Sequence, residues 1–326
     1  MAGNRRRVLV PDSMGAAGTD LLRARADIEM VQYDPRIAPA DLRALLPDAA
    51  AIALSFTPFG AAEVAAATRI EAVARIGVGF DAVDVPALTA RGVPLLTTGI
   101  ANSTSVAESA LTMMLTLAKR HVALDGLVRG GRWHERFANL PMEVTGKTVL
   151  VVGYGRIGSR TARKCAALDL RVLVHDPFVD AAAITRDGHT AAADLDAALP
   201  EADFVTIHCP KDAATTGLFD ARRLRLMKRG AYLVNTARGG IVDEAALFAA
   251  LTEGHLAGVG LDVFAAEPTP ADNPLLTLPS VISAPHVAGV TVEAVAAMAA
   301  ATARNILGAL DGAIDAANVV NREVLR

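Results

Sequence analysis

The chain has 326 residues, 52% of them apolar and 21% charged, and a formal net charge of −3. That length suits two domains better than one, and the weak acidity offers nothing to attract nucleic acid or an anionic membrane, so neither is expected as a partner. Aromatics are only 4%, so the core must rest on Val, Leu, Ile and Ala, as in parallel sheets covered by helices on both faces.

From the N-terminus, Arg5-Arg6-Arg7 is followed by just Val8-Leu9-Val10 before Pro11-Asp12. This falls short of the roughly 7–15 apolar residues of a secretory signal. No uncharged apolar stretch nears the ~20 residues of a membrane span, and a cytoplasmic location is expected. Strands are predicted at 7–10, 28–32, 50–54, 74–76 and 93–96, with helical stretches between them, for example 61–68. Ser105-Val-Ala-Glu108 reads as a capping box opening a long helix through Leu111, Leu115 and Ala118, closed by Gly130-Gly131 and suited to a hinge between domains. Further strands are predicted at 149–152, 171–175, 204–208, 232–235, 258–261 and 281–283, and a last helix at 292–310 that could return to the first domain. Alternating strand and helix argue for an α/β protein with two doubly wound parallel sheets. Cys165 and Cys209 lie far apart with no metal-type spacing, so they are expected to be small buried residues, and no metal site is expected.

Within the second set, Thr148 to Val152 runs into Gly153-Tyr-Gly155-Arg-Ile-Gly158, and Leu170 to His175 ends at Asp176. This is strand, glycine turn, helix, strand, acid. Gly153 permits the sharp turn, Gly155 lets the backbone approach a pyrophosphate, and Gly158 lets helix and strand pack closely. The helix N-terminus then presents free N–H groups and a partial positive charge to that pyrophosphate. Asp176 lies 18 residues past Gly158, near the ~20 expected of the acid that binds ribose hydroxyls. An acid there favours NAD over NADP, whose ribose phosphate it would repel.

Three later segments carry polar residues at the ends of predicted strands: Asn235-Thr-Ala-Arg238-Gly-Gly, Asp262 through Glu267-Pro268, and Pro285-His286-Val-Ala-Gly289. Ligands of open α/β sheets bind outside the carboxyl ends of the strands, so these loops can share one site. Reducing a 2-keto acid needs a cation for its carboxylate and carbonyl, a proton donor for the developing alkoxide, and a group to orient that donor. Arg238 suits the first through its planar fork. His286 suits the second, and Glu267 the third, since a paired carboxylate favours an imidazolium and fixes the ring.

These motifs resemble the D-isomer-specific 2-hydroxyacid dehydrogenase family, whose members include phosphoglycerate, glycerate and hydroxypyruvate enzymes. The resemblance spans nearly the whole chain: Arg75-Ile-Gly77-Val-Gly79-Phe-Asp81-Ala-Val-Asp84, Asn102 through Glu108, the glycine turn, His208-Cys-Pro210, Asn235 through Arg238-Gly, Leu261-Asp262-Val-Phe with Glu267-Pro268, and Pro285-His286. It implies Arg238, Glu267 and His286 as the catalytic set and NAD as cofactor. It implies that Ser55, Val78, Gly79 and Arg238 meet the substrate, Val78 and Gly79 through backbone N–H groups. Val106, Ala237 and Asp262 would meet the nicotinamide end of the cofactor, Arg156 and Ile157 the pyrophosphate, and Cys209, Pro210 and Thr215 the adenosine side. It implies a Rossmann cofactor domain, 102–287, inserted in a smaller flavodoxin-like substrate domain, 1–101 with 288–326, with the active site in the cleft. It further implies a homodimer; in some members a neighbour's tryptophan reaches the pocket, a position that Trp133 matches loosely, with a core or interface role the plainer reading.

The sequence departs from the phosphoglycerate enzymes of that family. The loop Leu54-Ser55-Phe56-Thr57-Pro58-Phe59-Gly60 has no positive charge, where a phosphate dianion would want a charge-assisted partner. Phe56 and Phe59 either line a pocket for a carbon side chain or pack into the domain. Ala82 stands where the family's loop usually carries asparagine, and the chain ends soon after the last helix, with no room expected for an appended regulatory domain. The expected function is interconversion of a D-2-hydroxy acid and its 2-keto acid. Alternatives on the same scaffold are a phosphite-type dehydrogenase or a non-catalytic NAD-sensing corepressor-like protein; Glu267, where formate enzymes carry glutamine, argues against formate.

Overall fold

The structure is a computed structural model that describes residues 5–325. By its internal packing the chain divides into two compact units. One holds the residues up to Asn102 and those from Val290 onward; the other is Ser103–Gly289.

The first unit carries a five-stranded parallel sheet made of β1 (Arg6–Pro11), β2 (Ile28–Tyr33), β3 (Ala49–Leu54), β4 (Ala72–Arg75) and β5 (Leu95–Leu96), in the order β2-β1-β3-β4-β5. This is the flavodoxin-like winding, with its switch point between β1 and β3. Alternation along the strands sorts their side chains onto two faces. Val8 and Val10 of β1 and Ala51 and Ala53 of β3 join Ala299, Ala303 and Ile306 of the helix Val292–Leu310. Leu9, Ile52 and Leu54 join Leu42, Val64 and Leu88 on the opposite face. Gly18, on the helix Ala16–Arg23, lets that long helix lie close: a Cβ there would sit 2.4 Å from the Ala299 carbonyl oxygen.

The second unit carries a seven-stranded parallel sheet: β6 (Thr148–Val152), β7 (Arg171–His175), β8 (Thr190–Ala191), β9 (Phe204–Ile207), β10 (Tyr232–Asn235), β11 (Gly258–Leu261) and β12 (Val281–Ser283). Their order is β12-β11-β10-β9-β6-β7-β8. Counted from β6 this is the Rossmann order extended by one strand, with the switch point between β6 and β9. Leu150 and Val152 face one core layer with Leu233 and Phe219; Val149 and Val151 face the other with Met114, Cys165 and Val234. The two-sheet α/β class expected from the strand–helix alternation is the fold observed.

Local differences have local causes. The expected strand 93–96 shortens to Leu95–Leu96, as Pro94 has no N–H to give a ladder. The two-residue β8 has too little pattern to read. Ser105 is not a cap: the helix runs Ser103–Ala118, so Ser105 is buried within its first turn. That helix stops before Arg120, whose φ of 52° is left-handed, and a second one, His121–Arg129, ends at Gly130. Phe59 is fully buried in the first unit's core, whereas Phe56 is 57% exposed; Trp133 is also 57% exposed and so is not a core residue. Among the described residues no helix is long and apolar enough to cross a membrane.

Candidate active site

The glycine turn leaves β6 at the switch point of the second sheet. Gly153 has φ +94°, and a Cβ there would lie 2.5 Å from the Cys209 backbone nitrogen, so only glycine lets the ends of β6 and β9 approach this closely. A Cβ on Gly158 would lie 1.9 Å from the Gly153 carbonyl oxygen, whereas nothing lies within 4 Å of one on Gly155. The turn is therefore closed beneath and open above, in front of the helix Gly158–Ala166. An open cradle of backbone N–H groups at a helix N-terminus suits a pyrophosphate.

Asp176, just past β7, accepts the Tyr154 N–H through Oδ2 at 2.7 Å and the Phe178 N–H through Oδ1 at 2.8 Å. The acid thus holds the glycine turn. Tyr154 is tied at its far end too: its hydroxyl donates to Asp187 Oδ2 at 2.8 Å, and burial, then that carboxylate, push the phenol well above its usual range. This Tyr154–Asp187 bond had no signal in the sequence, because 33 residues separate the partners. Arg156 and Ile157 lie on the turn, Arg156 exposed. Beyond β9, the Thr215 hydroxyl donates to the Pro210 carbonyl at 2.7 Å and accepts the Asp212 N–H at 2.8 Å, closing a compact loop after Cys209. Burial raises the Cys209 thiol to about 11.

The ends of β10, β11 and β12 form the second cluster. Asn235 organises the turn after β10: its Oδ1 accepts the Ala237 N–H at 3.0 Å and its Nδ2 donates to the Arg238 carbonyl at 2.9 Å. Arg238 is half-buried, with Nη1 donating to the Ala237 carbonyl at 2.7 Å. A Cβ on Gly239 would lie 1.7 Å from the Phe264 carbonyl oxygen, so this turn packs directly against the loop after β11.

That loop carries Asp262 and Glu267. Asp262 is 1% exposed; its carboxylate accepts the Val287 and Ala288 N–H groups at 2.8 Å each, and its carbonyl accepts the His286 N–H at 2.8 Å. Burial raises its pKa, opposed by those two backbone bonds. Three successive N–H groups fixed by one residue hold His286 at φ 54°, a conformation uncommon for a side-chain-bearing residue. The His286 ring meets Glu267: Nδ1 to Oε2 is 2.7 Å. The other carboxylate oxygen of Glu267 accepts the Phe264 N–H at 2.9 Å, so both oxygens are committed. His286 and Glu267 side chains remain 47% and 35% exposed, leaving Nε2 of the ring on the accessible side of the pair. Glu244, unmarked in the sequence analysis, accepts the Ala265 N–H at 2.6 Å and braces the same loop from a helix start.

Val106 is buried on the helix Ser103–Ala118. Ser55, Val78 and Gly79 belong to the first unit, on the loops after β3 and β4. There Arg75 donates to the Gly79 carbonyl at 2.7 Å and the Leu54 carbonyl at 3.3 Å, shaping both loops, and the Ser55 hydroxyl oxygen is sealed from solvent with no hydrogen-bond partner.

A family model described as "D-isomer specific 2-hydroxyacid dehydrogenase, NAD binding domain" matches residues 111–288. The chain is 40% identical over 324 residues to a D-3-phosphoglycerate dehydrogenase of Mycobacterium tuberculosis, covering 97% of this chain and 60% of that protein. It is 39% identical over 265 residues to a glyoxylate reductase of Thermofilum pendens, covering 80% and 78% of the two chains. A crystal structure of a D-lactate dehydrogenase from Aquifex aeolicus, complexed with NAD and lactic acid, superposes with a TM-score of 0.85 at 26% identity, over 96% of this chain and 99% of that one. The chain belongs to the D-isomer specific 2-hydroxyacid dehydrogenase family, and its second unit is an NAD-binding domain. It spans about 60% of the length of the phosphoglycerate dehydrogenases it matches first.

Proposed function

We propose that this protein interconverts a D-2-hydroxy acid and its 2-keto acid with NAD, and that Arg238, Glu267 and His286 are its catalytic residues. The observation that carries this reading is the His286–Glu267 pair, 2.7 Å apart at the strand ends of a unit built to bind NAD. Bound at the glycine turn, NADH would supply the hydride for the carbonyl carbon in the reducing direction. His286 gives the proton: Glu267 takes the Nδ1 side of the ring, so the proton leaves from Nε2 to the carbonyl oxygen. Arg238 binds the substrate carboxylate and stabilises charge on the oxygen as it grows. In oxidation each step reverses, with neutral His286 as base.

In the same reading the residues up to 101 and from 288 onward bind substrate, through Ser55 and the backbone of Val78 and Gly79, and residues 102–287 bind NAD. Gly153, Gly155, Arg156, Ile157 and Gly158 take the pyrophosphate and Asp176 the ribose. Cys209, Pro210 and Thr215 border the adenosine side, while Val106, Ala237 and Asp262 border the nicotinamide. Asp262 acts there through the backbone it holds. The protein is further proposed to be a homodimer, supported by the exposed Val122, Val128, Trp133, Phe137 and Leu140 of the second unit; a monomer mass in sedimentation at micromolar concentration would refute that part.

The test is NADH consumption by the purified protein with a set of 2-keto acids, and with NADPH alongside. Turnover with NADH well above that with NADPH is expected. Tight NADH binding without turnover of any keto acid would overturn the enzymatic reading.

A further inference from the structure

The loops that leave the first sheet on the side of its strand carboxyl ends have an unusual surface. Three large apolar side chains stand out there on three adjacent strands: Phe56 after β3, 57% exposed, Phe80 after β4, 38% exposed, and Ile100 after β5, 57% exposed. Their neighbours in the same loops, Phe59 and Val83, are buried, so the loops do have a core to fold onto and leave these three out of it. The β3 loop also borders the switch point of this sheet, where open α/β sheets take their ligands.

The charge around them is as informative. The segments 54–60, 76–84 and 97–102 hold no Lys, Arg or His. The guanidinium at the end of β4, Arg75, is bonded to the Gly79 and Leu54 carbonyls. Charged residues in the loops after β1 and β4 are acids: Asp12, Asp81 and Asp84. Arg36, after β2, lies on the far edge of the sheet with β1 between it and β3. The buried polar atoms without a partner in these loops, Ser55 Oγ, Thr98 Oγ1 and Asn102 Oδ1, are all neutral. Within these loops a phosphate or second carboxylate on the substrate would meet acids and no Lys, Arg or His beyond the engaged Arg75, and charge-assisted pairing is what such groups need.

We propose that the substrate is a 2-keto or 2-hydroxy acid whose side chain is uncharged, apolar and of branched-aliphatic or aromatic size, received by Phe56, Phe80 and Ile100. This rests on the dehydrogenase reading above and narrows it, away from the phosphorylated acid named for several relatives. Apolar pockets discriminate by the hydrocarbon they bury, at about tenfold or more per methylene in a well-fitted site.

The experiment is to measure kcat/KM with NADH for phenylpyruvate, 4-methyl-2-oxopentanoate, glyoxylate, 3-phosphohydroxypyruvate and 5-guanidino-2-oxopentanoate, in the wild type and in Phe56→Ala. Phenylpyruvate or 4-methyl-2-oxopentanoate should exceed glyoxylate at least about tenfold, and Phe56→Ala should lower that ratio by a similar factor. Phe56 is outside the core, so the variant folds, and its circular dichroism checks this. A best substrate that is phosphorylated, guanidinylated or as small as glyoxylate overturns the inference and leaves the dehydrogenase reading standing. So does a ratio unmoved by Phe56→Ala. Absence of turnover with all five acids removes the dehydrogenase reading and this inference with it.

Discussion

At the scale of single residues, the site depends on groups whose freedom has been removed. Glu267 has both oxygens committed, one to the Phe264 N–H and one to His286, so the imidazole is held by an acceptor that cannot swing away. His208 is a different case. It directly follows β9 beneath the glycine turn, with Nε2 2.9 Å from the Thr206 hydroxyl and Nδ1 sealed without a partner. Burial lowers its pKa to about 3. The folded state therefore holds the ring neutral, while the unfolded chain protonates it near pH 6.5. The stability this lends is complete above about pH 6.5 and is lost as pH falls from there toward 3, by up to about 1.4 kcal/mol per pH unit. Urea unfolding of the wild type and His208→Gln at pH 7, 6 and 5 should show the wild type losing stability faster. Parallel losses in the two proteins would contradict this account of His208.

At the scale of elements, the strand ends do the positioning, and they were partly legible. The glycines at 153, 155 and 158 could be read because each answers a steric demand that no other residue meets. Strands β7, β10, β11 and β12 fall where apolar runs bounded by polar or glycine residues put them. What the sequence hid are bonds between elements. Nothing in it links Tyr154 to Asp187, or Glu244 to the loop after β11, since hydrogen bonding across 33 and 21 residues leaves no periodic trace. Local cues also misled: Ser105 and Glu108 have capping-box spacing, yet Ser103 and Thr104 continue the helix ahead of them. Gly158→Ala tests the turn itself. Its methyl would press on the Gly153 carbonyl at 1.9 Å, so the helix must shift; a loss of about 1–3 kcal/mol in unfolding free energy and weakened NADH binding are expected. A variant as stable and as tightly bound as wild type would show that the close helix–strand approach is dispensable.

At the scale of the whole molecule, one chain carries two sheets of the same α/β logic with different winding, and their strand-end loops carry different chemistry. The second unit carries the glycine turn and the His286–Glu267 pair; the first presents neutral polar atoms and exposed hydrocarbon. In the proposed function such a division lets substrate choice vary without disturbing the cofactor turn, because the two depend on separate cores. It also separates binding from chemistry experimentally. A ligand that binds only the folded state raises the unfolding midpoint, by an amount worth about 2.7 kcal/mol at a hundredfold excess over Kd. The most direct test is therefore His286→Ala, followed by NADH-dependent turnover of the best keto acid and by the NADH-induced rise in midpoint. Turnover should fall by about 10²–10⁴-fold while the rise stays at its wild-type size. Turnover retained at the wild-type level, with NADH still bound, would contradict the assignment of His286 as the acid.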